Sequence, residues 1–317
     1  MSLTRLIVLA TLLAWGVVTL GAYVRLSDAG LGCPDWPGCY GQLGAPSTLA
    51  QQQAATLAFP DRPVEVHKAW KEMLHRYAAA TLGLLILAIA IAAWREKGQA
   101  RRLSAALLAL VLFQALLGRW TVTELLRPAI VTAHLLGGMA TLALLVWLAL
   151  HRLFRRQASA GAPLRRWAMF GIVALAMQIA LGGWTSSHYA ALACGSEWAC
   201  QGAWIPAMDF SGGFSLSGDG AATAQTLTAI HWSHRLGALL VAGVLVPLAF
   251  RLQRDDSLRA FGGLLLALLA AQIGLGGANV ALGLPLVSAV LHNAVAALLL
   301  AAMVALNIAL HDERSAP

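Results

Sequence analysis

Charge is what this chain has little of. Asp, Glu, Lys and Arg make up 11% of its 317 residues, against the roughly 25% of an average soluble domain. That scarcity, beside a hydrophobic fraction of 59%, excludes a disordered, collagen-like or nucleic-acid-binding chain. Cysteine is also sparse, with four in all, too few for a small disulfide scaffold. The net charge of +8 does not gather into one basic stripe, so where the charges lie matters more than their sum. Long apolar runs are what the chain does have, and they point to a membrane.

A spanning helix needs about 20 mostly apolar residues. Eight such runs are expected, near Leu6 to Val24, Met73 to Ala93, Leu103 to Thr123, Ala129 to Leu150, Trp167 to Ser187, Ala229 to Phe250, Leu258 to Leu282 and Leu286 to Ile308. The first follows Arg5 but is long and lacks a small-x-small cleavage site, so it reads as a retained helix rather than a signal peptide. Basic residues are kept on the cytoplasmic side of short loops. Arg5, Arg95, Lys97, Arg101, Arg102, Arg152, Arg155, Arg156, Arg165, Arg166, Arg251, Arg254 and Arg259 all fall on one side of the eight runs, which places both termini in the cytoplasm. The opposite, outer face carries two long loops, Arg25 to Lys71 and His188 to Thr228.

The chain repeats itself. Gln178-Ile-Ala-Leu-Gly-Gly-Trp-Thr in the fifth run echoes Gln114-Ala-Leu-Leu-Gly-Arg-Trp-Thr in the third and Gln272-Ile-Gly-Leu-Gly-Gly-Ala-Asn in the seventh, with Leu20-Gly21-Ala22-Tyr23 a weaker copy in the first. Gly21 to Cys33 and Gly182 to Cys194 are both 12 residues, and Gln114 to His134 and Gln272 to His292 are both 20. The expected fold class is therefore an all-α integral membrane protein of two repeated four-helix bundles, residues 1–156 and 157–317. The glycines suit close helix contacts, and the glutamines suit hydrogen bonds between helices, with no catalytic role assigned.

Four of nine histidines occupy matched places: His75 and His134 in the first half, His234 and His292 in the second. An ionisable residue in a span is costly and marks a function. Facing imidazoles in a bundle hold a heme iron from both sides; a histidine bonded to a neighbouring helix is the plainer reading of any one of them. Zinc is less attractive, because the second half offers no third or fourth donor at tetrahedral spacing. His67 and His188 fall in outer loops and His151 and His311 at cytoplasmic ends, where solvated side chains are expected.

Residues three apart share a helix face, so Glu72 points with His75, and the second half puts His231 in the equivalent place. Glu72 either handles protons beside a metal ligand or favours the start of its helix. Arg76 and Arg235 could meet heme propionates or snorkel to water. Cys33-Pro-Asp-Trp-Pro-Gly-Cys39 and Cys194-Gly-Ser-Glu-Trp-Ala-Cys200 lie in the outer loops, where disulfides persist. The repeat favours Cys33 with Cys39 and Cys194 with Cys200 as loop braces, with thiol exchange the alternative.

Taken together, Glu72-x-x-His75-Arg76, His134, His231-x-x-His234-Arg235, His292 and a cysteine pair in each long outer loop resemble the heme A synthase family over essentially the whole chain. The resemblance implies oxidation of the C8 methyl of heme O to a formyl group, through an alcohol, giving heme A for terminal oxidases. It implies that His75 and His134 bind the substrate heme, that Glu72 is the catalytic carboxylate and that His234 and His292 ligate a heme b. It also implies a bacterial inner-membrane location with the active face toward the periplasm, a heme O synthase partner, and an electron acceptor or donor that the sequence does not identify. The alternatives to weigh are a b-type cytochrome exchanging electrons with quinone, and a heme carrier without turnover.

Overall fold

A computed structural model describes residues 2–95, 98–153, 162–197, 199–216 and 222–310. Among them the chain forms ten α-helices and no strand. They are α1 (Leu3–Leu26), α2 (Leu49–Ala58), α3 (Val66–Ala93), α4 (Gln99–Thr123), α5 (Pro128–Leu153), α6 (Ala162–Ser187), α7 (Phe210–Gly213), α8 (Ala224–Leu252), α9 (Arg259–Ala281) and α10 (Leu286–Ala309). Eight of them, all but α2 and α7, are long and apolar enough to cross a membrane, matching the eight expected runs. The protein is an integral membrane protein. Its lipid-facing side chains stay uncovered by protein, as at Leu84, Leu112 and Leu239, because hydrocarbon needs no burial of apolar surface.

The helices start where the sequence supplies missing acceptors and stop where it cannot continue. Thr48 and Gln51 close a capping box on α2, and the Thr223 hydroxyl accepts from the Thr226 amide at the start of α8, satisfying orphan N–H groups. Pro128 opens α5, where a missing N–H costs nothing. Pro247 lies inside α8 and interrupts its ladder. Beside that gap the Trp167 indole of α6 donates to the Val244 carbonyl at 3.2 Å.

Several helices begin earlier than their hydropathy suggests, and at α3 and α8 this moves the candidate site residues. Val66 starts α3 six residues before Glu72, and Ala224 starts α8 seven before His231. Glu72, His75, His231 and His234 therefore sit in the second and third turns rather than the first. Polar residues such as His67, Lys68 and Lys71 lengthen α3 outward without disturbing its backbone bonds, which hydropathy alone does not register.

The chain divides into two compact units, Met1–Thr141 and Leu142–Pro317, with the division inside α5. The boundary expected at 156/157, together with Lys97, Arg155, Arg156 and His311, lies outside the described residues. In the first unit α3 packs between α1 and α4. Its outer end is roofed by the first long loop, where Cys33, Cys39, Tyr40, Ala45, Ala55, Ala69 and Met73 form a buried cluster with Phe59 and Val64 against it. In the second unit α8 packs on α6 and α9, and α10 on α9 and α6. Asn307 of α10 donates to the Ala168 carbonyl of α6 at 3.2 Å.

Candidate functional site

Both disulfides are the ones the repeat favours, Cys33–Cys39 and Cys194–Cys200. Each loop also folds back on itself in the same way, through a bridge between Cys39 and Gln42 in one and between Cys200 and Ala203 in the other. In the first unit the loop lies directly on α3. Gly32 makes this possible: a Cβ there would stand 2.6 Å from the Lys68 backbone carbon. Gly32→Ala should therefore cost about 1–3 kcal/mol by overpacking, because backbone rather than a mobile side chain is in the way. Thermal unfolding would read this loss, and an unshifted midpoint would show that the loop is not seated on α3 as described.

Close seating brings the Cys33 amide to Glu72, whose Oε2 accepts from it at 2.8 Å. Oε1 accepts from Arg76 Nη2. Glu72 is only 5% exposed and well past the start of its helix, so it does not cap α3; its carboxylate is turned to the loop. Arg76 Nη1 donates to the carbonyls of Asp35 at 2.9 Å, of Pro37 at 3.3 Å and of Gly38. The guanidinium expected to reach a propionate or water is thus engaged as a clamp between the disulfide loop and Glu72. Asp35 secures the same loop by accepting from the Tyr40 and Gly41 amides. Tyr40 donates its hydroxyl to the Pro63 carbonyl, and burial followed by the nearby Glu65 holds that phenol above its ordinary pKa.

The second unit repeats the arrangement with an imidazole in place of the carboxylate. The Cys194 amide nitrogen lies 3.3 Å from His231 Nδ1 and Arg235 Nε 3.2 Å from His231 Nε2, while the rest of the guanidinium meets the carbonyls of Glu197 and Gly195. A neutral imidazole has one acceptor nitrogen, so it cannot take both hydrogen bonds. A carboxylate accepts both and keeps lone pairs to spare. The two positions are therefore equivalent in place and different in capacity.

The four matched histidines share one local design. The ring of each lies against a glycine of a neighbouring helix: His75 against Gly21, His134 against Gly118, His234 against Gly182 and His292 against Gly276. A Cβ at Gly21 would come within 2.9 Å of the His75 ring, and one at Gly276 within 3.1 Å of His292. His75 and His134 fall in the first unit and His234 and His292 in the second. Among the described residues no group of three or more His, Cys, Asp or Glu forms a metal site, and two imidazoles without further donors suit an iron already held in a porphyrin better than zinc.

Sequence reasoning gave the glutamines no role at the histidines, but two of them touch the rings. Gln178 Nε2 lies 3.0 Å from His234 Nδ1 and donates to the His234 carbonyl, and Gln272 Nε2 lies 3.1 Å from His292 Nε2. The signal was the fixed spacing Gln-x-x-x-Gly, which puts the amide one turn from the glycine under the ring. The remaining histidines are peripheral: His67 is exposed in the first turn of α3 and His151 is exposed at the end of α5. His188 is half-buried rather than fully solvated, its ring tilted 45° against that of Trp184 with centroids 4.6 Å apart.

Eight spanning helices and glycine-backed histidine pairs beneath disulfide-braced loops describe a membrane protein built to hold porphyrin iron. A family model described as COX15-CtaA, cytochrome oxidase assembly protein, matches residues 4–304, and the chain belongs to that family. It is 42% identical to a heme A synthase of Shewanella oneidensis over 99% of this chain and 98% of the relative. A heme A synthase of Caulobacter vibrioides is 30% identical over 91% of this chain and 90% of its own. A protoheme IX farnesyltransferase 1 of Natronomonas pharaonis is 36% identical over 132 residues, which are 41% of this chain and 24% of that protein.

Proposed function

We propose that this chain converts heme O to heme A, oxidising the C8 methyl to a formyl group in its first half with the help of a heme b held in its second. The observation that carries this reading is a chemical difference between two sites of the same plan: a buried carboxylate, Glu72, stands at the helix position where the other site has an imidazole, His231. The names of the full-length relatives support the reaction. The donor sets support the cofactor: each pair offers two imidazoles over glycine, and the Nδ1 atoms of His75, His134 and His292 are buried without a hydrogen-bond partner.

His75 and His134 would take the iron of the substrate, and His234 and His292 that of heme b. A methyl C–H bond is too inert for side chains, so iron supplies the oxidising power. The chain supplies position and proton handling. Methyl to alcohol removes two electrons and two protons and takes up the oxygen of one water, alcohol to geminal diol removes two more of each and takes up a second water, and loss of water from the diol leaves the aldehyde. Glu72 is fixed by the Cys33 amide at Oε2 and by Arg76 at Oε1, and each oxygen keeps a lone pair to accept a proton released at these stages. Arg76 holds the loop in place above it, and Arg235 does the same in the second half.

The basic residues at the ends of α1, α3 to α6, α8 and α9 support cytoplasmic termini and a periplasmic active face in a bacterial inner membrane. The segment shared with a protoheme farnesyltransferase supports a heme O synthase as partner. An acceptor outside the chain would take the electrons removed from the methyl carbon. Extracting the pigments of the purified protein and identifying them by mass tests the whole reading. Heme O, its alcohol or heme A beside heme b is the expected result; heme b alone, with heme O supplied, would establish an electron-transfer cytochrome instead.

A further inference from the structure

A substrate heme must enter and leave at every turnover, whereas a cofactor heme must stay. Both sites use the same paired histidines on the same glycines, so something else has to set how long each porphyrin is held. In the second unit both rings are tied to a glutamine, Gln178 to His234 and Gln272 to His292. In the first unit neither is. Gln114 stands one turn before Gly118 but its Nε2 makes no hydrogen bond, and the Nδ1 atoms of both His75 and His134 are buried without a partner. At the remaining position, one turn before Gly21, the pattern breaks and the residue is Val17.

We infer that the glutamine partners decide which half retains its heme: Gln178 and Gln272 lock the second-half histidines as permanent ligands, while Val17 and the unbonded Gln114 leave His75 and His134 free to release product. The physical ground is general. A ligand histidine is oriented by the hydrogen bond at its other nitrogen, and losing that partner costs about 10–100-fold in metal affinity. The Oε1 atoms of Gln178 and Gln272 are buried and unpaired. Turning the Gln272 amide would present an acceptor to the His292 ring N–H and leave the opposite nitrogen with its lone pair for iron, while Gln178 is itself fixed beside its ring by donating to the His234 carbonyl. Valine can do neither. These glutamines are positioning residues, acting through the histidines.

The inference rests on the assignment of substrate to the first half and heme b to the second. Its test is heme release rather than turnover. Purified full-length protein carrying heme O and heme b is mixed with excess apomyoglobin, and the transferred heme is identified by mass, which assigns each released species to its half. Gln178→Leu and Gln272→Leu should speed heme b release by about tenfold or more, and Val17→Gln should slow heme O release by about tenfold. Gln272→Glu, which keeps an acceptor, should retain heme b as the parent does. Unchanged release in the leucine variants, or unchanged heme O release in Val17→Gln, overturns the inference. If a leucine variant does not fold, Val17→Gln decides alone, since it removes no contact in the second unit. His75→Ala and His234→Ala are run beside them. If these leave heme content intact, the assignment of the halves has failed; if they empty their sites while the glutamine and valine variants behave as the parent, only the present inference has.

Discussion

Glu72→Gln should leave heme bound and stop its oxidation. The amide keeps the shape of the carboxylate but has one acceptor oxygen where two are in use, at Cys33 and at Arg76, and it cannot take up a proton at neutral pH. General acid–base groups contribute about 100- to 10,000-fold, so heme A yield should fall by at least the lower figure, with heme O accumulating. Heme b content and the histidine-ligated absorption spectrum should not change, because no contact of His234 or His292 involves Glu72. The measurement is pigment mass and visible spectrum on the same preparation. A normal yield of heme A would remove Glu72 from the mechanism. A loss of heme b together with heme A would make the residue a structural one.

His234→Ala should have the complementary effect, emptying the second half while the first still takes up substrate. If His234 holds the iron, its loss would remove a bond to the metal outright, a larger loss than the 10–100-fold attached to a hydrogen-bond partner alone. The ring also fills the space over Gly182 and meets Gln178, so the substitution leaves a ring-sized gap in which added imidazole can sit. Heme b should disappear from the extracted pigments and return when the variant is prepared with imidazole, and heme O should remain bound throughout. Retention of heme b in this variant, with loss in His75→Ala, would exchange the roles of the two halves.

The loops give a physical reason why these effects should be separable. In each half the disulfide loop is joined to its helix through one amide, one arginine and the residue three before the matched histidine. The Cys33–Cys39 bond closes the loop whose Cys33 amide meets Glu72 and whose Asp35, Pro37 and Gly38 carbonyls meet Arg76. A loop of this length without the cross-link would have to order itself for every such contact.

The eight spans, the internal repeat, both disulfide pairings and the four matched histidines could all be read from order and spacing. Hydrophobic length and repeated intervals survive in one dimension because each is fixed by local geometry: the rise of a helix, the thickness of a bilayer, the reach of a short loop. The family resemblance followed from the same intervals. The outer starts of α3 and α8 were not legible, since a membrane helix continues past its apolar stretch wherever polar residues can meet water. Nor was the destination of Arg76 and Arg235, because a guanidinium next to a histidine has several plausible partners until the backbone carbonyls of a distant loop are brought to it.

The sequence by itself determined what the protein is made of: eight membrane helices, two copies of one plan, and a lone carboxylate where the copies differ. Only the tertiary structure decided what each of those residues meets. It placed Glu72 under the Cys33 amide, closed Arg76 on the loop carbonyls and set each histidine on a glycine, and it tied just one of the two pairs to glutamines. Such contacts join residues tens of positions apart on different helices. They depend on how helices rotate and approach one another, and no spacing along the chain encodes that.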